Sequence, residues 1–206
     1  HRSIESNTSY QVTAISESSE NARKSIPESI DIYNDYKTLI ASAELDIIFI
    51  SLPNQFAAEA ACLSLQNGLH VFCEKPPART HAELLEVEKQ SLKFPELKLM
   101  YGFNHRFHLS VEEAKLLIDS NSLGRLINMK GVYGKSQMIS FNQTDWRTDR
   151  EASGGGILLD QGIHMLDLIR HLSGENFTDV FSIIDNAFWN FDVEDNAYVL
   201  MKSPKG

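Results

Sequence analysis

The run Asp46-Ile-Ile-Phe-Ile-Ser-Leu-Pro53, the alanine-rich stretch from Phe56 to Asn67, and His70-Val-Phe-Cys-Glu-Lys-Pro76 together decide the fold class. The first segment is continuously apolar, which fits a strand buried on both faces of a parallel sheet. The second reads as a helix stopped by Gly68, and the third is a short strand that ends in charged residues. Working outward, residues 10 to 17 are rich in β-branched side chains and close on Glu17, and Ser18-Ser-Glu-Asn-Ala-Arg23 looks like a helix start. Downstream, Thr80 to Leu92 has the pattern of a charged amphipathic helix and Leu97 to Phe103 that of a strand. Strands alternating with helices at this spacing predict an α/β unit over residues 1–103 with a doubly wound parallel sheet.

The pattern changes after Asn104. Ser110 to Asp119 is helical, with Ser110 as the expected cap and Glu112 and Glu113 in the first turn. Arg125 to Gly134 alternates like an antiparallel strand, residues 136–153 are polar and irregular, and Ile157 to Leu172 is a strongly apolar helix ended by Ser173-Gly174. Val180 to Phe191 and Asn196 to Lys202 read as two more strands. Residues 104–206 are therefore expected to form an incomplete α+β domain whose sheet is mainly antiparallel and unfinished at Gly206.

Composition narrows the function classes. With 206 residues, 42% of them hydrophobic, the chain can build one large or two small cores. A formal net charge of −9 with scattered Lys and Arg argues against a nucleic-acid surface. No apolar stretch approaches the roughly 20 residues of a membrane span. Cys62 and Cys73 follow no metal or disulfide spacing, so they read as two buried thiols in a reducing, cytoplasmic compartment. The Asn7, Asn142 and Asn176 triplets fit a glycosylation pattern without a secretory signal and carry no weight. A first residue of His1 and an end directly after a strand-like run suggest a piece of something longer.

Chemistry concentrates at the predicted strand ends, where doubly wound sheets hold ligands. Glu17 could accept hydrogen bonds from an adenosine ribose, and its charge favours NAD over NADP, although a carboxylate on a solvated turn would look the same. The Ser51-Leu52-Pro53-Asn54 turn, Glu74-Lys75-Pro76 and Asn104 with Arg106 complete the set. Lys75 stands between an acid and Pro76-Pro77, so the fold aims its ammonium, and beside another positive group it could polarise an oxygen near neutral pH. Asp160 and His164 lie four residues apart and share one helix face, while Gly154 to Gly156 let that helix start approach a ligand. His164 could take a hydroxyl proton, with Asp160 gripping substrate or orienting the imidazole; a core histidine paired to a carboxylate is the alternative. A metal is disfavoured because Asp167 and His171 fall further along the same helix. Trp146-Arg147 and Arg106 could meet a substrate carboxylate or phosphate, or could be surface arginines stacked on aromatics. His105 and His108 read as structural. A glycine-rich phosphate loop is missing.

Taken in order, Ser51-Leu-Pro-Asn54, Glu74-Lys-Pro76, Gly102-Phe-Asn-His-Arg-Phe107, Asp145-Trp-Arg147 and Gly154-Gly-Gly with Asp160 and His164 make the chain resemble the Gfo/Idh/MocA oxidoreductases, the glucose-fructose oxidoreductase and inositol dehydrogenase family. The resemblance spans essentially the whole chain. It implies a Rossmann domain binding NAD, or NADP, whose first strand and Gly-rich loop would lie upstream, followed by a substrate and oligomerisation domain. It also implies that Lys75, His164 and Asp160 are catalytic. Glu17, Ser51, Leu52, Pro53, Asn54, Glu74, Lys75, Pro76 and Asn104 would line the cofactor, with a cis bond before Pro76. Lys75, Arg106, Trp146, Arg147, Asp160 and His164 would meet a sugar or cyclitol substrate. The family often has histidine three residues after the asparagine, where this chain has Ala57. The implied activity is hydride transfer between a secondary alcohol and nicotinamide in a homo-oligomer, the rival being a non-catalytic dinucleotide-binding sensor or scaffold. The 206 residues alone are expected to be weakly active at most.

Overall fold

A computed structural model describes residues 9–134 and 145–204. Its first half alternates short strands and helices: β1 (Ala14–Ser16), α1 (Glu20–Arg23), β2 (Asp31–Tyr33), α2 (Tyr36–Ser42), β3 (Ile47–Ile50), α3 (Asn54–Gln66), β4 (His70–Cys73), α4 (His81–Lys93) and β5 (Leu99–Tyr101). All strand pairs here are parallel. They fall into two groups, β1-β2 and β3-β4-β5, rather than the single sheet expected, because no described strand bridges β1 to β3.

Local chemistry explains the helix boundaries. Ser19 caps α1 by accepting from Ala22 N, and Thr80 caps α4 by accepting from Glu83 N. Gly68 ends α3 with a φ of 79°, the left-handed region that costs glycine nothing. The core forms where α3 crosses the β3-β4 face. Ala57, Ala58, Ala60, Ala61 and Leu65 pack against Ile50, Val71 and Cys73, small residues letting the helix come close to the sheet. Leu39, Ile40 and Leu69 make a satellite cluster under α2. The strand β2 and helix α2 have no counterpart in the sequence reading; Asp35 starts α2 by accepting from Lys37 N and Thr38 N.

The second half begins with a 3₁₀ turn (Asn104–Phe107) and α5 (Leu109–Asp119). Ser110 is not its cap: the His108 carbonyl already accepts from Val111 N and Glu112 N, so the helix starts earlier. A 3₁₀ turn (Trp146–Thr148), α6 (Arg150–Ser153), a π turn (Leu158–Gly162) and α7 (Ile163–Ser173) lead to β6 (Asp179–Asp185) and β7 (Asn196–Lys202), which pair antiparallel. The sequence reading takes Ile157 to Leu172 as one regular helix; its first turn is wound wider, with i to i+5 spacing. The expected strand at Arg125 to Gly134 is not formed. An alternating segment becomes a strand only with a partner for its backbone, and residues 125–131 instead line a cavity of about 940 Å³ that also borders α7 and β7. The strand expected to reach Phe191 ends at Asp185, because the Asp195 carboxylate collects the N–H groups of Ala187, Phe188 and Trp189 into a loop. Those three bonds hold the Asp195 carboxyl at about 2 against its burial. The irregular segment predicted at 136–153 lies outside the described residues as far as 144. Among the described residues, no helix is long and apolar enough to cross a membrane.

Candidate active site

The two halves meet beside the carboxyl end of β4. Lys75 follows that strand, its side chain 15% exposed, and the peptide to the buried Pro76 is cis. Its Nζ donates to the backbone oxygen of Asp160 at 2.5 Å and to Oδ1 of the same residue at 2.9 Å. Asp160 Oδ2 accepts from Gln161 Nε2 at 2.8 Å. Burial by itself would raise the Asp160 carboxyl, but the hydrogen bonds from Lys75 and Gln161, with the charges of Lys75 and Arg147, hold it below the usual range. A lysine 85 positions away in sequence is thus the partner of Asp160.

His164, 6% exposed, lies on α7 after the π turn that carries Asp160. The expectation that Asp160 orients this imidazole is not met: Asp160 bonds Lys75 and Gln161, and Nδ1 of His164 is buried with no hydrogen-bond partner among the described residues. The ring is held by aromatic contacts instead. His105 stacks on it with centroids 4.1 Å apart and planes 15° apart, and Phe103 meets it edge-on at 6.4 Å. Tyr133 packs near-parallel to both, 6.2 Å from His164 and 5.7 Å from His105. Burial, then the neighbouring positive charges of His105 and Lys75, push the His164 imidazole down to about 4, against opposing pulls from Asp160 and Asp167. The ring is therefore uncharged at neutral pH.

The glycines before the helix make a close approach, but to protein rather than ligand. A Cβ on Gly154, whose φ is 84°, would lie 2.6 Å from the Cβ of Arg79, and one on Gly156 would lie 2.0 Å from the backbone oxygen of Glu194. Glu194 is buried, accepts from Ile157 N through its carbonyl and from Leu158 N through Oε1, and so satisfies the first-turn donors of the helix. Asn54 is buried at the start of α3, where its Nδ2 donates to the Ser153 carbonyl at 2.8 Å. Arg79 adds a contact to the Glu151 carbonyl. These bonds fix Asp160 and His164 against the first half.

The remaining candidates divide. Arg106 is committed to the buried Asp167, with Nε to Oδ2 at 2.7 Å and Nη2 on Oδ1, and lies over the Phe103 ring. Arg147 pairs with Asp145 at 3.2 Å and stacks 4.3 Å from the Trp146 ring, which supplies a flat, half-buried surface near Asp160. Ser51, Leu52, Pro53 and Glu74 sit at the ends of β3 and β4, and Asn104 is exposed after β5. Glu17 lies further off at the end of β1, where its Oε1 accepts from Ser19 N. The sequence reading missed Glu194, Arg79 and Tyr133, and weighed Asp167 only as a metal ligand. Asp167 left one trace, an acid within the apolar run Met165 to Ile169, whereas Glu194 stands among other acids and left none. No group of His, Cys, Asp and Glu among the described residues could hold a metal ion.

Residues 1–102 match an oxidoreductase family with an NAD-binding Rossmann fold, and residues 111–206 match the GFO/IDH/MocA C-terminal domain. The chain belongs to the GFO/IDH/MocA oxidoreductase family. Levoglucosan dehydrogenase of Pseudarthrobacter phenanthrenivorans is 31% identical over 143 residues, which are 69% of this chain and 36% of that protein. D-glucoside 3-dehydrogenase of Escherichia coli is 30% identical over 164 residues, 76% of this chain and 43% of its own length. The chain thus spans less than half of these curated relatives. The crystal structure of myo-inositol 2-dehydrogenase from Lactobacillus plantarum superposes with a TM-score of 0.85 at 26% identity, covering 98% of this chain and 61% of the other. Levoglucosan dehydrogenase in complex with NADH and levoglucosan shares the fold, with a TM-score of 0.79 at 24% identity over 94% of this chain and 55% of that one.

The residues present fit one end of a dinucleotide. Lys75 follows the carboxyl end of β4, where doubly wound sheets hold their ligands, and lies beside the uncharged His164 ring, which suits a nicotinamide and a reacting alcohol.

Proposed function

We propose that the complete protein is an NAD-dependent dehydrogenase or reductase acting at a secondary alcohol of a sugar, cyclitol or sugar nucleotide. The observation that carries this reading is the junction itself: Lys75 from the parallel-sheet half is bonded to Asp160, and His164 of the same helical run is buried and uncharged beside them. Residues 1–103 would hold the cofactor and residues 104–206 the substrate. Bound nicotinamide would supply the hydride acceptor, with Ser51, Leu52, Pro53, Asn54, Glu74, Lys75, Pro76 and Asn104 around it and Glu17 toward the adenosine ribose, where a carboxylate favours NAD over NADP.

The chain's own residues then manage the proton. His164, uncharged at neutral pH, accepts the hydroxyl proton of the alcohol, which removes the positive charge that would form on the oxygen as the carbonyl develops. Lys75 donates a hydrogen bond to that oxygen, and in exchanging its Asp160 contact for the substrate it neutralises growing alkoxide character. Until that exchange, Asp160 holds Lys75 aimed at the site. The Trp146 ring offers an apolar face for the C–H side of a sugar, with Arg147 beside it. Arg106 reaches substrate only by giving up part of its bidentate hold on Asp167.

The relatives' printed activities, a levoglucosan dehydrogenase and a D-glucoside 3-dehydrogenase, support the choice of a carbohydrate hydroxyl. The bare apolar side chains of β6 and β7, among them Phe181, Ile183 and Leu200, suit packing within a homo-oligomer. A cytoplasmic setting suits the two free thiols, Cys62 and Cys73. The test is absorbance at 340 nm with the complete protein, NAD or NADP, and a panel of free sugars, glucosides and cyclitols. Turnover with at least one member is expected. Cofactor binding with no turnover across the panel would overturn the reading in favour of a dinucleotide-binding sensor.

A further inference from the structure

The histidine that follows β5 takes no part in the proposed proton transfer, yet its ring makes the tightest aromatic contact at the site among the described residues. We propose that His105 is a positioning residue for His164, its imidazole stacked face to face on the His164 ring so that it sets the plane in which that ring meets the substrate. The inference rests on the reading of His164 as the proton acceptor.

The geometry supports it in three ways. The planes of the two rings differ by 15° at 4.1 Å, which leaves no room for the His164 ring to turn over its Cβ–Cγ axis without striking His105. Phe103, two residues before His105, meets the same ring at 87°, so one short segment after β5 supplies both a face and an edge contact. Among the described residues no hydrogen bond holds the Nδ1 side of the His164 ring. A buried histidine normally takes its orientation from a second-nitrogen hydrogen bond, and here stacking replaces it.

The stack also acts on charge. Protonating His164 would set a cation against His105 and near Lys75. The other groups facing the pair are Asp160 on the π turn, Asp167 on α7, Tyr133 across both rings and His108 against His105. The carboxylates oppose the shift, while burial, His105 and Lys75 outweigh them. His105 is itself pushed down, first by burial and then by His108 and Lys75. A charge on His105 thus disfavours one on the His164 ring stacked against it.

The experiment is proton NMR of the histidine ring signals in the 206-residue chain, titrated with pH, for wild type, His105→Phe and His105→Asn. In wild type, the His164 ring protons should show an upfield ring-current shift and a titration midpoint well below that of a free imidazole. His105→Phe should keep the ring-current shift, because a ring still covers the His164 face, and raise the midpoint. His105→Asn should lose the shift and raise the midpoint as well. A His164 signal without the ring-current shift in wild type, or one unaltered in both variants, would overturn the proposal. These readouts do not depend on turnover: an inactive enzyme with the ring-current shift intact would sink the dehydrogenase reading and leave the stack standing.

Discussion

Gly156→Ala is the substitution whose cost can be worked most directly from the structure. The added methyl would sit 2.0 Å from the Glu194 carbonyl oxygen, 2.8 Å from its nitrogen and 2.9 Å from its carbon, all backbone atoms that cannot swing aside. The helix start must therefore back away from Glu194, which breaks Ile157 N–H to Glu194 O at 2.9 Å and Leu158 N–H to Glu194 Oε1 at 3.2 Å. Each bond is worth about 1 kcal/mol net. Overpacking at a closed site adds roughly 1–3 kcal/mol, so the expected loss is about 3–5 kcal/mol. Urea unfolding followed by tryptophan fluorescence would measure it, with Trp146 and Trp189 as reporters on either side of the contact. Gly68→Ala is the control: nothing lies within 4 Å of its Cβ, and only the φ of 79° is penalised, by about 1 kcal/mol. If Gly156→Ala matched the control or wild type, the clamp between Glu194 and the helix start would be refuted.

Other perturbations separate further parts of the account. Arg106→Met should destabilise the chain by about 2–3 kcal/mol in the same assay, because it strands the Asp167 carboxylate, whose side chain is only 7% exposed; a change below about 0.5 kcal/mol would show the pair to be dispensable. The His164 imidazole at about 4 lies below its free value of 6.5, so between these the unfolded chain binds more protons than the folded one. Stability should then fall as pH drops from about 6.5 toward 4, by up to about 3 kcal/mol, with full stability above that window. The slope should flatten in His164→Phe, and an equal slope in both proteins would contradict the shift. Burial, with Glu74 nearby, pushes the Cys73 thiol up to about 12, so iodoacetamide at neutral pH should label it only after unfolding. Rapid labelling of Cys73 in the native chain would show the core under α3 to be open.

How much of this was legible in the residues depends on range. Ile47 to Ile50, Gly68 and Thr80 act on their immediate neighbours, and β3, the end of α3 and the start of α4 came out close to where the pattern put them. Asp31 to Tyr33 is too short to show a period, so β2 escaped. Arg125 to Gly134 has the alternation of a strand and no partner to complete it, which pattern alone cannot reveal. At the site, Lys75, Asp160 and His164 were recognisable by residue type and order, but their bonding was not. The glycines suggested a ligand because the close contacts with Arg79 and Glu194 join residues distant in sequence. The stack of His105 on His164 likewise leaves no trace in spacing, and a lone histidine on a turn reads as structural.

Lys75 is the point on which the two halves converge, and its replacement tests the central claim most directly. In the complete protein, Lys75→Met should lower kcat for NAD reduction at 340 nm by about 10²–10⁴, the usual share of a positioned acid or hydrogen-bond donor, while NAD affinity by calorimetry changes little. Turnover within about twofold of wild type, with the cofactor still bound, would contradict the account, since twofold is under about 0.5 kcal/mol of barrier.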